Sequence, residues 1–444
     1  MRLTTHGGYV FNTGEYILLI LIFRLSLDWV FSEVVATQYA YMGFHNRETD
    51  FYFVLSWLLL AIISIFVFYH YSNQSNSVSS EILFVLFLLS FVPFTTMVRY
   101  NAVVPGYYLW NAVYWAVLLL LLRVKADEIQ YINISFGGQR FDSNFKVKLI
   151  AIIFAAVVVF ISWRYTHFRL NFNLLNVYDI RAEAASFSMP LILRYLFSWT
   201  RVINALILAY FIRKKDWIWA VGCFFVQLLN FGIDGSKTTL FLAIMAMIIC
   251  LLPISDLREF NKWILRGFAL LPAICMAIYN IFDNIVPLSL FVRRVMFLPQ
   301  HIAGLYYDFF TTHTPDYFTQ SFMRYFGFVS HYDKPIARMI AEVYEQQNSS
   351  FNNGLISDGM ANLGLYGVII MPIILAIVLK WFDDRRGTID ARIAITTALY
   401  SAIILSNSFL FTDLFTHGLL VAILLLGLMR EDSQYNCRAD NRSV

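Results

Sequence analysis

Between residues 285 and 353 the chain gathers side chains suited to holding an anion and moving a proton. The stretch opens with Phe291-Val-Arg-Arg-Val-Met-Phe-Leu-Pro-Gln-His301, continues through Tyr306-Tyr-Asp-Phe-Phe310 and ends in the polar run Glu345-Gln-Gln-Asn-Ser-Ser-Phe-Asn-Asn353. It carries Arg293, Arg294, His301, Asp308, His313, Arg324, His331, Lys334 and Arg338. A guanidinium grips anion oxygens in pairs through its planar fork, and an imidazole titrates near neutral pH. Two smaller clusters come earlier. One contains Arg164, Arg169, Asp179, Arg181 and Glu183; the other places Asp234 and Lys237 in the tight turn Ile233-Asp-Gly-Ser-Lys237. All three lie between apolar runs, so the elements that position them are apolar helices.

Composition sets the class of those helices. Of the 444 residues 59% are hydrophobic and only 14% charged, against about 25% charged in soluble domains, and the mean hydropathy is +0.62. A soluble core cannot bury so much apolar surface, so a bilayer is the natural solvent. A net charge of +4 is too weak to imply nucleic acid. The cysteines are Cys223, Cys250, Cys275 and Cys437, and no pair has metal-ligand spacing.

Apolar runs predict spans near residues 16–39, 51–69, 82–98, 107–122, 149–163, 190–211, 217–231, 238–252, 264–282, 355–379, 389–405 and 409–429. The expectation is an all-α polytopic membrane protein of about 12 helices: nine within residues 1–282, a large outer loop over 283–354, then three helices and a tail over 355–444. The first run is too long for a signal-peptide core and reads as a retained anchor. Arg24 and Asp28 inside it share a helix face four residues apart. They should pair and face the bundle, either as a structural ion pair or in the passage of lipid or substrate.

Orientation follows the excess of Lys and Arg in cytoplasmic loops. Arg123, Lys125, Arg140, Lys146 and Lys148 fall in one set of alternate loops, as do Arg213, Lys214, Lys215, Arg258, Lys262, Arg266, Lys380, Arg385 and Arg386. That set is assigned inside, which puts both termini inside and the 283–354 loop outside. Of the eight histidines only His6 and His70 then lie near the inner face. Arginines outside run against the bias and are candidates for holding an anion.

No Gly-x-x-x-x-Gly-Lys-Ser/Thr, no Gly-x-Gly-x-x-Gly and no His-Glu-x-x-His occurs, which argues against a P-loop ATPase, a dinucleotide fold and a zinc protease. No Asp-x-Asp pair falls on the outer side, which argues against a metal-dependent nucleotide-sugar transferase. Asn348-Ser-Ser350 fits a glycosylation acceptor by a pattern that arises easily by chance, and Phe382-Asp-Asp-Arg-Arg-Gly387 reads as a cytoplasmic basic anchor.

In order along the chain come Asn176-Val-Tyr-Asp-Ile-Arg181, Asp234-Gly-Ser-Lys-Thr-Thr-Leu240, Arg293-Arg-Val-Met-Phe-Leu-Pro299 with Tyr306-Tyr-Asp-Phe-Phe310, and Asn353-Gly-Leu-Ile-Ser-Asp-Gly-Met-Ala-Asn-Leu-Gly-Leu-Tyr-Gly367. With about twelve spans and one large late outer loop, this layout resembles bacterial O-antigen polymerases of the Wzy type. The resemblance implies a glycosyltransferase in the inner membrane, with a fold like that of the GT-C class. It would pass a growing glycan from undecaprenyl diphosphate to a new lipid-linked repeat unit, alongside a Wzz-type chain-length regulator and a repeat-unit flippase. No cofactor or metal is expected. A lipid-linked glycan flippase and an O-antigen ligase are the alternatives.

Such a reaction needs cations where the diphosphate departs, and Arg181, Lys237, Arg293 and Arg294 are candidates. It needs a base near the acceptor hydroxyl, and His301, Glu183, Asp308 and Asp358 are candidates, His301 first. Tyr306 and Tyr307, with Phe309 and Phe310, form either a platform for a sugar face or an interfacial belt or core. Pro299 should end or kink a helix close to His301. Asp358 either holds an arginine or serves its helix start. The topology is tested by thiol labelling in a cysteine-free background. A membrane-impermeant reagent should reach Arg294→Cys from outside, and Arg386→Cys only after permeabilisation.

Overall fold

In the computed structural model the described residues are 13–73, 77–124, 142–170, 177–254, 257–344, 349–386 and 389–430. Arg2, His6, Lys125, Arg140, Asn348 and Cys437, and the side chains of Asp179 and Arg258, lie outside them. The described residues contain helices, turns and no strand. That is the outcome an apolar solvent dictates, because a helix satisfies its backbone polar groups within one segment.

The elements used below are α1 (Thr13–Val30), α2 (Asp50–Asn73), α3 (Val78–Arg99), α4 (Tyr107–Arg123), α5 (Ser143–Thr166), α6 (Val177–Ala185), α7 (Leu191–Arg213), α8 (Trp217–Asp234), α9 (Lys237–Leu251) and α10 (Leu257–Phe282). Then come α11 (Leu288–Phe297 in π geometry, continuing as α-helix Leu298–Thr312), α12 (Ile336–Val343), α13 (Ile356–Leu363), α14 (Gly367–Arg386), α15 (Ala391–Asn407), α16 (Leu410–Phe415) and α17 (Leu419–Met429). Seven helices among the described residues are long and apolar enough to cross a membrane: α2, α3, α5, α7, α8, most of α10, and the run Ile356–Arg386. Shorter apolar helices are α4, α9, α15 and α17.

The chain divides into two units. Unit 1 holds the described residues up to 124, then 257–379 and 402–411; unit 2 holds 142–254, 380–401 and 412–430. In unit 1, α3 is buried along its whole length, while α2 leaves residues such as Leu58, Ile62 and Ile65 exposed to the apolar surroundings. Aromatic rings fill the space round α3. Phe91 and Phe94 pack on Trp115 and Tyr107, and Phe31 stacks on Tyr100 with Phe297 edge-on. In unit 2, α7 is the central helix, flanked by α5, α8, α9 and α17.

The Arg24–Asp28 pair forms as expected, with more partners than a single pair. Fully buried Arg24 donates from Nε to Thr96 Oγ1 at 2.9 Å and from Nη2 to Ser56 Oγ at 3.2 Å and the Thr95 carbonyl at 3.0 Å. Its Nε lies 3.2 Å from Asp28 Oδ1. The other Asp28 oxygen accepts from Arg99 Nη1 at 2.7 Å, and Arg99 Nε reaches Glu48 at 2.8 Å. The network ties α1, α2 and α3 together. The pairing expected from the four-residue spacing is present.

The segment from 285 to 344 is largely helical. α11 presents Leu288, Val292, Met296 and Phe297 to the core, leaves Arg293 half-buried and exposes Arg294. Pro299 does not end the helix, although the π geometry gives way to α-helix at Leu298, beside it. The helix runs on to Thr312, with Pro299 in the first turn of the α-helical part. There the missing N–H costs least, and the Pro299 carbonyl accepts from Asn353 Nδ2 at 2.7 Å. Glycine makes the 353–367 segment possible. A Cβ on Gly354 would sit 1.9 Å from the Leu405 carbonyl, and one on Gly367 2.0 Å from the Gly359 carbonyl.

Asp28→Ala leaves a buried guanidinium uncompensated and should cost about 3–5 kcal/mol. Adding Arg24→Met to it should restore most of the loss, read as the melting temperature of detergent-solubilised protein. A double variant no more stable than the single one contradicts this account.

Candidate functional site: an arginine-lined cavity

In unit 2 residues from α6, α7, α8, the segment between α6 and α7 and the turn after α8 line an open cavity of about 530 Å³. Arg181 enters from α6, Arg194 and Arg201 from α7, and Asp234 from the end of α8. Arg194, Phe197 and Arg201 share the cavity because spacings of three and seven fall on one helix face. Apolar Phe187, Met189 and Ile233 complete much of the wall.

Side-chain amides lock α7 at this level. Gln227 Nε2 donates to the Arg201 carbonyl at 2.9 Å and to the Thr239 carbonyl at 3.0 Å, joining α7, α8 and α9. Asn230 Nδ2 donates to Thr200 Oγ1 at 2.6 Å. The turn between α8 and α9 is fixed by Gly235, at φ 62°, and by Asp234 Oδ1, which accepts from the Ser236 N–H at 2.9 Å. The other Asp234 oxygen binds Arg201 Nη2. Gly232 admits the backbone of Arg169, whose carbonyl would lie 2.4 Å from a Cβ there. Arg169 Nη1 in turn holds Glu183 of α6 at 2.7 Å.

The guanidinium donors are only partly used. Arg201 Nε is buried without a hydrogen-bond partner. Arg194 makes one long bond, from Nη2 to the Met189 carbonyl at 3.4 Å. Arg181 is exposed and has no ion pair among the described residues. Three guanidiniums face one carboxylate across this cavity, leaving about two net positive charges with free donors, a fit for a phosphate-rich anion.

The residues named from sequence are distributed as follows. In unit 2, Arg181 lines the cavity, Glu183 is exposed on the same helix in its pair with Arg169, and Lys237 is exposed at the start of α9. The remaining seven lie in unit 1. Arg293 lies over the Tyr39 ring, 4.4 Å from its centroid, and donates to Ser289 Oγ. Arg294 is exposed without a partner among the described residues. His301 lies against Gly43 and the Phe44 ring. Burial pushes its imidazole down to about 4, with His45 adding to the shift and a hydrogen bond to the Met42 backbone opposing it. At neutral pH it is uncharged and a weak base.

Tyr306 is buried and donates to the Phe351 carbonyl at 3.0 Å, while Phe309 and Phe310 pack with His313 and Tyr332. The aromatic stripe is core here. Tyr307 is half-buried, with its hydroxyl against Gly106. Asp308 accepts from Tyr344 Oη at 2.6 Å. Asp358 is buried and meets no arginine among the described residues. It accepts from Asn362 Nδ2 and from the Leu410 N–H, both at 2.7 Å, and so fixes the start of α16.

Arg194 and Arg201 were not picked out from the sequence, because they lie inside the run at 190–211. The signal was present: two arginines seven residues apart in a span, where charge is expensive and usually functional.

No protein-family model matches the chain, and no curated protein and no solved structure is similar to it.

Gly232→Ala should push the Arg169 backbone off α8 and loosen α6, a local cost of about 1–3 kcal/mol. Limited proteolysis should then cut faster between residues 169 and 190 than in the wild type. Equal cleavage rates would show that α6 does not depend on this approach.

Proposed function

We propose that this protein is a glycosyltransferase of the bacterial inner membrane. It polymerises oligosaccharide repeat units carried on undecaprenyl diphosphate at the periplasmic face. In this reading the chain crosses about twelve times, both termini are cytoplasmic, and the 283–354 segment is periplasmic. The observation that carries the proposal is the cavity with Arg181, Arg194 and Arg201 on its walls. Its charge suits a lipid diphosphate, its apolar surroundings suit a lipid chain, and the positive-inside rule puts its rim outside.

The step is the attack of an acceptor hydroxyl oxygen on the anomeric carbon of the donor glycan. The bond from that carbon to the phosphate oxygen breaks, and its electron pair stays on the diphosphate. The hydroxyl proton passes to a base. Arg181, Arg194 and Arg201 stabilise the charge that develops on the leaving diphosphate. Cationic donors placed where that charge develops lower the barrier to its departure. Glu183 is our choice of base, since it lies on the same helix as Arg181 and is exposed. The other named groups, His301, Asp308 and Asp358, lie in unit 1, and none of them lines the cavity. A chain-length regulator and a repeat-unit flippase are the proposed partners.

The test is the lipid-linked and attached glycan profile of a strain whose own copy is deleted. Wild-type protein should restore a ladder. Arg201→Ala and Arg181→Ala should each leave mostly single repeat units, with transfer slowed about 10²–10³-fold at unchanged protein level, and EDTA should not stop the purified reaction. A full ladder with both variants contradicts the proposed role of the cavity. Loss of all attached glycan on deletion points instead to a ligase or flippase.

A further inference from the structure

We infer that Asp234 governs product release: its carboxylate keeps the bare lipid diphosphate from being held too tightly against Arg201. The inference rests on the reading of this cavity as the lipid-diphosphate site. Asp234 is the one carboxylate among the described residues lining the cavity. A lone acid in an anion site calls for an explanation, because it weakens the attraction the arginines provide.

Its geometry indicates what it does. One oxygen is spent on the Ser236 N–H at 2.9 Å, which fixes the turn and aims the carboxylate. The other oxygen binds Arg201 Nη2. An anion that takes both donors of the Arg201 fork must therefore compete with Asp234. The Arg201 backbone is held at this level, because its carbonyl is tied through Gln227 to α9.

The two forms of the ligand differ in charge. In the glycosylated lipid diphosphate both phosphates are esterified, and each carries one negative charge. When the glycan leaves, the bond to the anomeric carbon breaks and the electron pair remains on the terminal phosphate. That phosphate is now a monoester with a second ionisation near pH 6, so at neutral pH it gains most of a further charge. Against three unopposed arginines the product would bind much more tightly than the substrate and block turnover. A carboxylate beside Arg201 repels the added charge and narrows that difference. At ~6 Å and an effective dielectric of ~20, one such charge changes relative affinity by up to about a hundredfold, which salt and solvent in an open cavity reduce to about tenfold.

The experiment uses the purified full chain in detergent and two synthetic probes. Farnesyl diphosphate stands for the product, and its methyl diester on the terminal phosphate stands for the charge state of the substrate. In wild type the product probe should bind no more than about tenfold more tightly than the diester. Asp234→Asn should widen that ratio by a further factor of about ten, chiefly through a slower off-rate of the product probe. In the polymerisation assay the same variant should show a burst followed by slow turnover. Asp234→Ser, which keeps a short acceptor for the Ser236 N–H, should behave alike if the Asn variant melts early. A ratio unchanged in a folded variant, or both affinities shifted equally, overturns the role of Asp234 alone. Failure of wild type to bind either probe overturns the cavity assignment itself.

Discussion

A guanidinium among apolar helices loses the hydration that makes it cheap in water. It persists there only if other groups take up its donors or if it faces a solvated cavity. Each unit of this protein handles that constraint differently. In unit 1, Arg24 spends its donors on Asp28, Thr96, Ser56 and the Thr95 carbonyl, and Arg99 extends the network to Glu48. That arrangement leaves little for a ligand, and it reads as structure. In unit 2, Arg181, Arg194 and Arg201 keep most of their donors and share a cavity. A site differs from a staple here by the number of donors left over.

The same accounting sorts the 283–354 segment. Its polar and aromatic groups looked available in the sequence, yet folding spends many of them inside the segment. Asp316 is buried and accepts from Thr319, Ser330 and the Gln320 N–H. Tyr306, Asn353 and Asp358 bind the Phe351 carbonyl, the Pro299 carbonyl and the Leu410 N–H. Buried polar groups must find partners within the fold, so many of these side chains serve as internal scaffolding. Arg294 is the named cation there that keeps an exposed head without a partner among the described residues.

Asp234 links the two themes. It satisfies a turn, pairs with an arginine, and in doing so limits the positive charge of the cavity. A site that must release an anion more charged than the one it receives cannot maximise attraction. Partial pairing of one guanidinium is a simple physical answer to that demand.

The sequence by itself determined the solvent, the helical class and the Arg24–Asp28 pair. These follow from composition, run length and four-residue spacing, all of which are local. It also made Arg181 a candidate and flagged the Asp234 turn. Only the tertiary structure shows that α11 runs through Pro299, whose carbonyl accepts from Asn353, 54 residues away. It alone sent the Tyr306 stripe into the core and left Asp358 without a cation. And it alone brought Arg194 and Arg201 of one helix to Arg181 of another and Asp234 of a third. Which donors remain unspent depends on contacts between residues far apart in the chain, and no local pattern encodes that remainder.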